Sequence, residues 1–223
     1  TVENFQHFFT NGKTLGTLFY SFVIALLTTT VCLFIAYPTA YILARGGFRK
    51  SGVWMLLLVT PMWINFTLRI TALKEVLNLI EGNLAFHPLF NAVLCMVYDF
   101  LPFMILPIYN SIARIKPDVI EAAKDLGANS RIVLIRIIFP LTLSGVISGI
   151  VMVFVPALTS FVISDLLGGG KVLLIGNVIE QEFMQGSNWN LGSGLSVVLM
   201  IFVIASMAVM NIFDKDGGGT AVW

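Results

Sequence analysis

The 223 residues are 57% hydrophobic and only 11% charged, with a mean hydropathy of +0.92. Soluble domains average about a quarter charged residues, so a soluble globular fold is excluded. The net charge of +1 says nothing about partners by itself, and no nucleic-acid partner is expected; the placement of the charges is what informs.

Residues 1–16 form a polar and aromatic lead without an initiator Met or a signal-peptide pattern. A first apolar span runs from about Thr17 to Ala44, long enough to cross a bilayer with tilt or a kink near Pro38. Arg45, Arg49 and Lys50 follow at once, around the helix breaker Gly46-Gly47. A second span covers about Gly52 to Ile70 and includes Pro61 and Trp63. The connection from Thr71 to Pro88 is polar, with Lys74, Glu75, Glu81 and Asn83. A third span, about Leu89 to Ile112, holds Asp99, Pro102 and Pro107. The two prolines free backbone carbonyls that neighbouring helices must satisfy.

A charged loop occupies residues 113–140, and a fourth span runs from about Leu141 to Ser164 with Pro156 inside it. Asp165 to Asn190 is polar and glycine-rich, carrying Gly168-Gly169-Gly170, Glu180, Glu182 and Trp189. A fifth span, about Leu191 to Phe213, leads to a flexible tail at 214–223. The expected organisation is therefore a lead (1–16), an all-α membrane domain (17–213) and a tail (214–223). Cys32 and Cys95 both fall inside apolar runs, so no disulfide framework is implied. Together with His7 and His87 they make no ligand cluster, and no metal site is expected.

Lysine and arginine favour the cytoplasmic side of a membrane protein. One face receives Arg45, Arg49, Lys50, Arg114, Lys116, Lys124, Arg131, Arg136 and Lys215; the other receives Lys13, Arg69, Lys74 and Lys171. This bias puts the 113–140 loop, 45–51 and the tail inside, and 71–88 and 165–190 outside. The visible chain then crosses five times from an outside start.

The inside loop has strong helix punctuation. Pro117 suits the first helical position, where its missing N–H is not needed. Asp118 and Glu121 place negative charge in the first turn, where the helix dipole favours it. Val119, Ile120, Ala122, Ala123 and Leu126 recur as an apolar stripe opposite Glu121, Lys124 and Asp125. Gly127 stands where a left-handed cap is wanted, and Ser130 is placed to cap a second helix running to Pro140.

This spacing, Glu121-Ala122-Ala123, then Gly127, then Ile137 and Phe139-Pro140, resembles the EAA loop of ABC importer permeases. Phe139 replaces the leucine usual before the proline. The resemblance implies that Glu121, Ala122, Ala123, Gly127 and Pro140 couple this chain to a cytoplasmic ATPase. The run from Ser164 to Ile179, and Thr60 to Asn65 followed by Arg69, are further similar to the B-type permeases of bacterial spermidine/putrescine importers. That similarity covers Asn4 to about Phe213. It implies a type I importer fold in the bacterial inner membrane. The implied partners are ATPase subunits, a second permease, an extracytoplasmic binding protein, membrane lipid and a polyamine substrate. Such permeases cross six times, so a first helix is expected to lie ahead of this sequence; a natural five-span protein is the alternative.

An ionisable group inside the membrane is a functional candidate by default. Asp99, beside Tyr98 and Phe100, offers a polycation both charge and ring faces; the bland alternative is pairing with a residue such as Arg69. Trp63 and Asp165 join Tyr98 and Asp99 as candidate pathway residues; an interfacial anchor is the alternative for Trp63, and a solvated outer face is the plainer reading of Asp165. Nothing resembles a Walker P-loop, so ATP and Mg belong to the partner ATPase and this chain is expected to bind no cofactor. An ungated channel or structural subunit would not need the motif loop. An intramembrane enzyme lacks HExxH, GxSxG and paired histidines. A permease for phosphate, sulfate or an organic ion is the nearest alternative to a polyamine permease.

Overall fold

A computed structural model describes residues 12–47, 50–168, 171–184 and 189–215, with side chains at 12–14, 85 and 209–215 left aside. The lead to residue 11 with His7, the tail from 216, Arg49, Gly169-Gly170 and the Lys13 and Lys215 side chains lie outside what is described. Every regular element among the described residues is helical. In order these are α1 (Gly12–Arg45), α2 (Ser51–Val59), a 3-10 turn (Thr60–Trp63), α3 (Phe66–Glu81), a 3-10 turn (Leu84–Phe86) and α4 (Pro88–Ala113). There follow α5 (Pro117–Asp125), α6 (Ser130–Leu141), α7 (Leu143–Thr159), α8 (Val162–Leu167), α9 (Ile175–Met184) and α10 (Trp189–Lys215).

Among the described residues three helices are long and apolar enough to cross a membrane by length and composition: Leu15–Arg45, Pro88–Ala113 and Trp189–Ala208. The number reaches 5 if the bent pairs α2–α3 and α6–α7 each count as one span. The second span is thus not the continuous helix 52–70 expected from hydropathy. It breaks at Ile64-Asn65, because the Asn65 side chain caps a new helix by accepting from Thr67 N (3.0 Å) and Leu68 N (3.3 Å). The new helix extends to Glu81, so most of the expected polar connection 71–88 is helical and ends at Gly82, φ 70°.

The fourth span also differs from the 141–164 expectation. It starts in α6, bends by 64° at Thr142 into α7, and stops at Thr159 before the separate α8. Within α6, Val133–Ile138 is π-helical, and the Phe139 N–H reaches back to Leu134 O. The widened turn comes just before Pro140, whose ring would clash with the Arg136 carbonyl in a regular α-helix. The 165–190 segment is not merely a glycine-rich loop, since α9 lies inside it.

The chain divides into two compact units. The first takes Thr1–Val31, Met62–Phe100 and Phe154–Ser206. Its core gathers Ile24, Ala25, Ile70, Met96, Leu158, Ile163 and Ile175, all nearly or fully buried. Phe22 meets Phe154 and Phe202 edge-on, at 5.6 and 5.8 Å between ring centres. Buried Ser21, Ser164 and Asn177 inside it close on backbone and on each other. Ser21 Oγ accepts from Ile175 N (2.8 Å) while donating to Thr17 O, and Asn177 Oδ1 accepts from Leu174 N (3.1 Å) and from Ser164 Oγ.

The second unit takes Cys32–Pro61, Leu101–Val153 and Met207–Trp223. Here α7 lies directly on α4 through two glycines one turn apart. A Cβ at Gly145 would run into Ser111 Oγ and stand 2.7 Å from Pro107 O; one at Gly149 would stand 2.7 Å from Met104 Sδ. With no hydrophobic drive between helices in lipid, such close backbone approach supplies the van der Waals contact that holds them. Tyr37 on α1 reaches the bend at Thr142 by a hydroxyl–hydroxyl hydrogen bond of 3.1 Å, and Tyr109 donates to Ser51 Oγ (3.1 Å).

Candidate functional site

The loop between α4 and α6 presents the nine-residue helix α5. Pro117 takes the first position, Asp118 the first turn and Lys124 the last, so both ends suit the dipole. It ends in a Schellman arrangement: Gly127 at φ 85°, its N–H bonded to Lys124 O (2.8 Å), and Ala128 N–H to Ala123 O (3.0 Å). The expected left-handed cap is present. The next helix is capped by Asn129 and not by Ser130: Asn129 Oδ1 accepts from Ile132 N at 2.9 Å, and Ser130 is the first helical residue.

The expected single apolar stripe on α5 is divided. Ala123 turns into the chain and Ile120 is half-buried, whereas Val119, Ala122 and Leu126 face outward, Leu126 at 89% exposure. Glu121 and Pro140 are also exposed. Glu121 borders a polar pocket of about 250 Å³ with Tyr41, Arg45, Lys124 and Ser130. Arg45 sits between the elements that meet there: its Nη2 donates to Ile112 O (3.0 Å) at the end of α4 and to Ile115 O in the linker to α5.

Within the first unit, Asp99 on α4 is 2% exposed and ion-paired with Arg69 on α3. Both charges are out of water, so each depends on the other. The helical turn sends the neighbours of Asp99 to different sides: Tyr98 is 45% exposed, Phe100 buried. Trp63 is 85% exposed at the break before α3, and Asp165 is exposed in the first turn of α8. Among the described residues no hydrogen bond or ion pair joins Trp63, Tyr98 or Asp165 to Asp99. A separate cleft of about 560 Å³ lies between α7, α9 and α10, with Glu180 at its wall among Phe161, Phe183, Leu199 and Met200. Among the described residues, no group of His, Cys, Asp and Glu is arranged to hold a metal.

Arg45 and the pair Gly145/Gly149 were not singled out from sequence. The glycine pair is a small-xxx-small pattern, legible as such; Arg45 looked like one more inside charge.

The chain matches, over residues 8–215, the family of the binding-protein-dependent transport system inner membrane component. It belongs to that family. The permease shares 36% identity over 217 residues with the spermidine/putrescine transport system permease protein PotB of Haemophilus influenzae, covering 91% of this chain and 76% of that protein. With PotB of Escherichia coli it shares 39% over 201 residues, covering 82% and 72%. Its fold is that of ABC importer membrane subunits. It superposes on a chain of the inward-facing MetNI methionine ABC transporter with a TM-score of 0.71 (15% identity, 92% and 96% covered). On a chain of a bacterial ABC transporter importing the acidic polysaccharide alginate the TM-score is 0.76 (13% identity, 97% and 84% covered). The permease is a multi-pass membrane protein of the all-α importer fold.

Proposed function

We propose that this chain is the permease subunit of an ATP-driven importer whose cargo is a polyamine of the spermidine and putrescine class. The cargo rests on one observation: identity of 36–39% to two spermidine/putrescine permeases over at least 82% of the chain. In this reading the chain works with ATPase subunits, a second permease and an extracytoplasmic binding protein. ATP and Mg are handled on the ATPase, and this subunit hydrolyses nothing.

Helix α5 is the element that docks on the ATPase. The support is an apolar face, Val119, Ala122 and Leu126, left uncovered in a segment that the charge bias places in the cytoplasm. Glu121 flanks that face, Gly127 sets the turn before α6, and Pro140 lies in the last turn of α6, before the bend at Thr142. On the substrate side, irregular backbone at membrane depth is tolerated only where protein covers it or water reaches it. The break at Ile64-Asn65, with Trp63 exposed beside it, fits a pathway wall. Trp63 and Tyr98 offer ring faces to ammonium groups, and Asp165 adds a negative charge toward the outer end.

The decisive experiment is reconstitution with the ATPase, second permease and binding protein, measuring which labelled solute both enters and stimulates ATP turnover. Stimulation by phosphate, sulfate or an organic anion, and not by spermidine or putrescine, would replace the cargo. In the same complex Gly127→Val forces a β-branched residue into a left-handed conformation at a cost of about 1–2 kcal/mol. The expected result is a drop of about tenfold in substrate-stimulated turnover, shared by Glu121→Lys; unchanged coupling in both variants removes α5 from the role.

Orientation has its own test. Single cysteines at Lys50 and Met184, both exposed, are introduced into a background lacking Cys32 and Cys95. An impermeant thiol reagent on whole cells is expected to label position 184 and to reach position 50 only after permeabilisation. The reverse pattern would invert the topology.

A further inference from the structure

We propose that Arg45 is the positioning residue that fixes where α5 begins and thereby transmits movement of α1 to the docking helix. The proposal rests on the coupling role given to α5 above. Arg45 is the last residue of α1, and its guanidinium bridges two carbonyls of a different part of the chain. Ile112 O belongs to the last turn of α4, at the negative end of the dipole, and accepts from Ile115 N (3.2 Å) as well as from Arg45. Ile115 O lies one residue before Lys116, the residue at which α5 is entered.

The sequence explains why that linker needs an outside donor. Lys116 precedes Pro117 and is held extended, at φ −66° and ψ 138°, as the residue before a proline must be. Helical hydrogen bonding therefore cannot run continuously from α4 into α5: the linker's Ile115 N–H turns back to Ile112 O (3.2 Å), which closes α4 without tying it to α5. Arg45 supplies the tie with a rigid, always-charged donor. The same side chain borders the pocket shared with Glu121 and Lys124 of α5. Its Nε is buried and lacks a hydrogen-bond partner among the described residues. The guanidinium is thus committed to the two carbonyls and not to its own full satisfaction. A displacement of the α1 end then moves the start of α5 with it, which a plain surface charge would not achieve.

The test uses the whole complex in nanodiscs, with spermidine as the probe. Arg45→Met keeps the apolar stem and removes the donors; Arg45→Lys keeps the charge and a donor head but not the planar guanidinium whose Nη2 reaches both carbonyls. Expected for Arg45→Met is a fall of about tenfold or more in spermidine-stimulated ATP turnover per assembled complex, with basal turnover retained and Arg45→Lys intermediate. A merely structural residue would lower the amount of complex and leave stimulation per complex unchanged. A second measurement places spin labels at Ile42 on α1 and Asp118 on α5, outside the apolar docking face, in the background lacking Cys32 and Cys95. The distance distribution is expected to be narrow in the parent protein, broad in Arg45→Met and broadened to a lesser degree in Arg45→Lys. Parent-like stimulation together with an unchanged distribution in Arg45→Met overturns the proposal; should that variant not accumulate, the same two results in Arg45→Lys do so. Absence of any spermidine stimulation in the parent complex would defeat the cargo reading alone, because the label distances still test Arg45.

Discussion

Gly145→Leu is expected to abolish accumulation of the permease in the membrane. The obstacle is not only a side chain that can swing away. Even the first carbon added at this position would lie 2.7 Å from the carbonyl oxygen of Pro107 and would run into Ser111 Oγ. To admit it, α7 must back off from α4, and contact is then lost along the whole seam, including Gly149 against Met104. Overpacking a well-filled site costs about 1–3 kcal/mol, more when backbone is what blocks the way. In lipid no hydrophobic gain refills the gap. Gly145→Ala should retain a reduced level with a lowered unfolding temperature. Gly16→Leu, at a helix position with nothing within 4 Å, should behave as the parent. Membrane level by immunoblot and thermal unfolding in detergent give the readout. Parent-like values for Gly145→Leu would mean that α4 and α7 do not pack through these glycines.

The second large effect belongs to the buried pair. Asp99→Asn is expected to reduce the assembled permease severely, because Arg69, its side chain only 9% exposed, keeps a charge that has lost its counter-ion. Removing one partner of a buried ion pair costs about 3–5 kcal/mol, whereas replacing both by apolar groups is often neutral. The double variant Arg69→Met/Asp99→Leu should therefore recover assembly. Its uptake then separates the two roles available to Asp99. Uptake well below the parent at normal membrane level assigns the carboxylate to the polyamine path. Parent-like uptake leaves the pair as an internal brace and directs attention to Trp63 and Tyr98. If the double variant assembles no better than Asp99→Asn, charge compensation is not what the pair provides.

Much of the permease was legible in one dimension. Composition and run length dictate membrane helices, since a backbone in hydrocarbon must satisfy its own hydrogen bonds and helices do so locally. The first, third and fifth apolar runs accordingly became α1, α4 and α10. The α5 boundaries were equally local: a proline that forgives a missing donor, one acid, Asp118, in the first turn (Glu121, expected there too, falls in the second) and a glycine that accepts φ 85° without strain. The EAA spacing pointed to the importer family for the same reason, because it records turn chemistry at fixed offsets.

What hydropathy could not convey was interruption. Asn65 breaks the second span by offering a side-chain acceptor to two backbone N–H groups, and Thr142 with Pro140 bends the fourth; an average over an apolar window passes over both. Pairwise facts were beyond it as well. By sequence Asp99 reads either as a charge awaiting substrate or as the partner of a residue such as Arg69, and only the return of α3 against α4 decides for the pair. Val119 and Ala123 share one apolar pattern, yet the chain's own packing buries Ala123 and leaves Val119 outside. Arg45 is one of several inside charges by sequence, and it became distinct only when folding carried Ile112 and Ile115, 67 and 70 residues away, to its guanidinium. Local hydrogen bonding and burial preference are properties of neighbouring residues and can be read from them; which distant group satisfies a buried charge is decided when the helices close on one another.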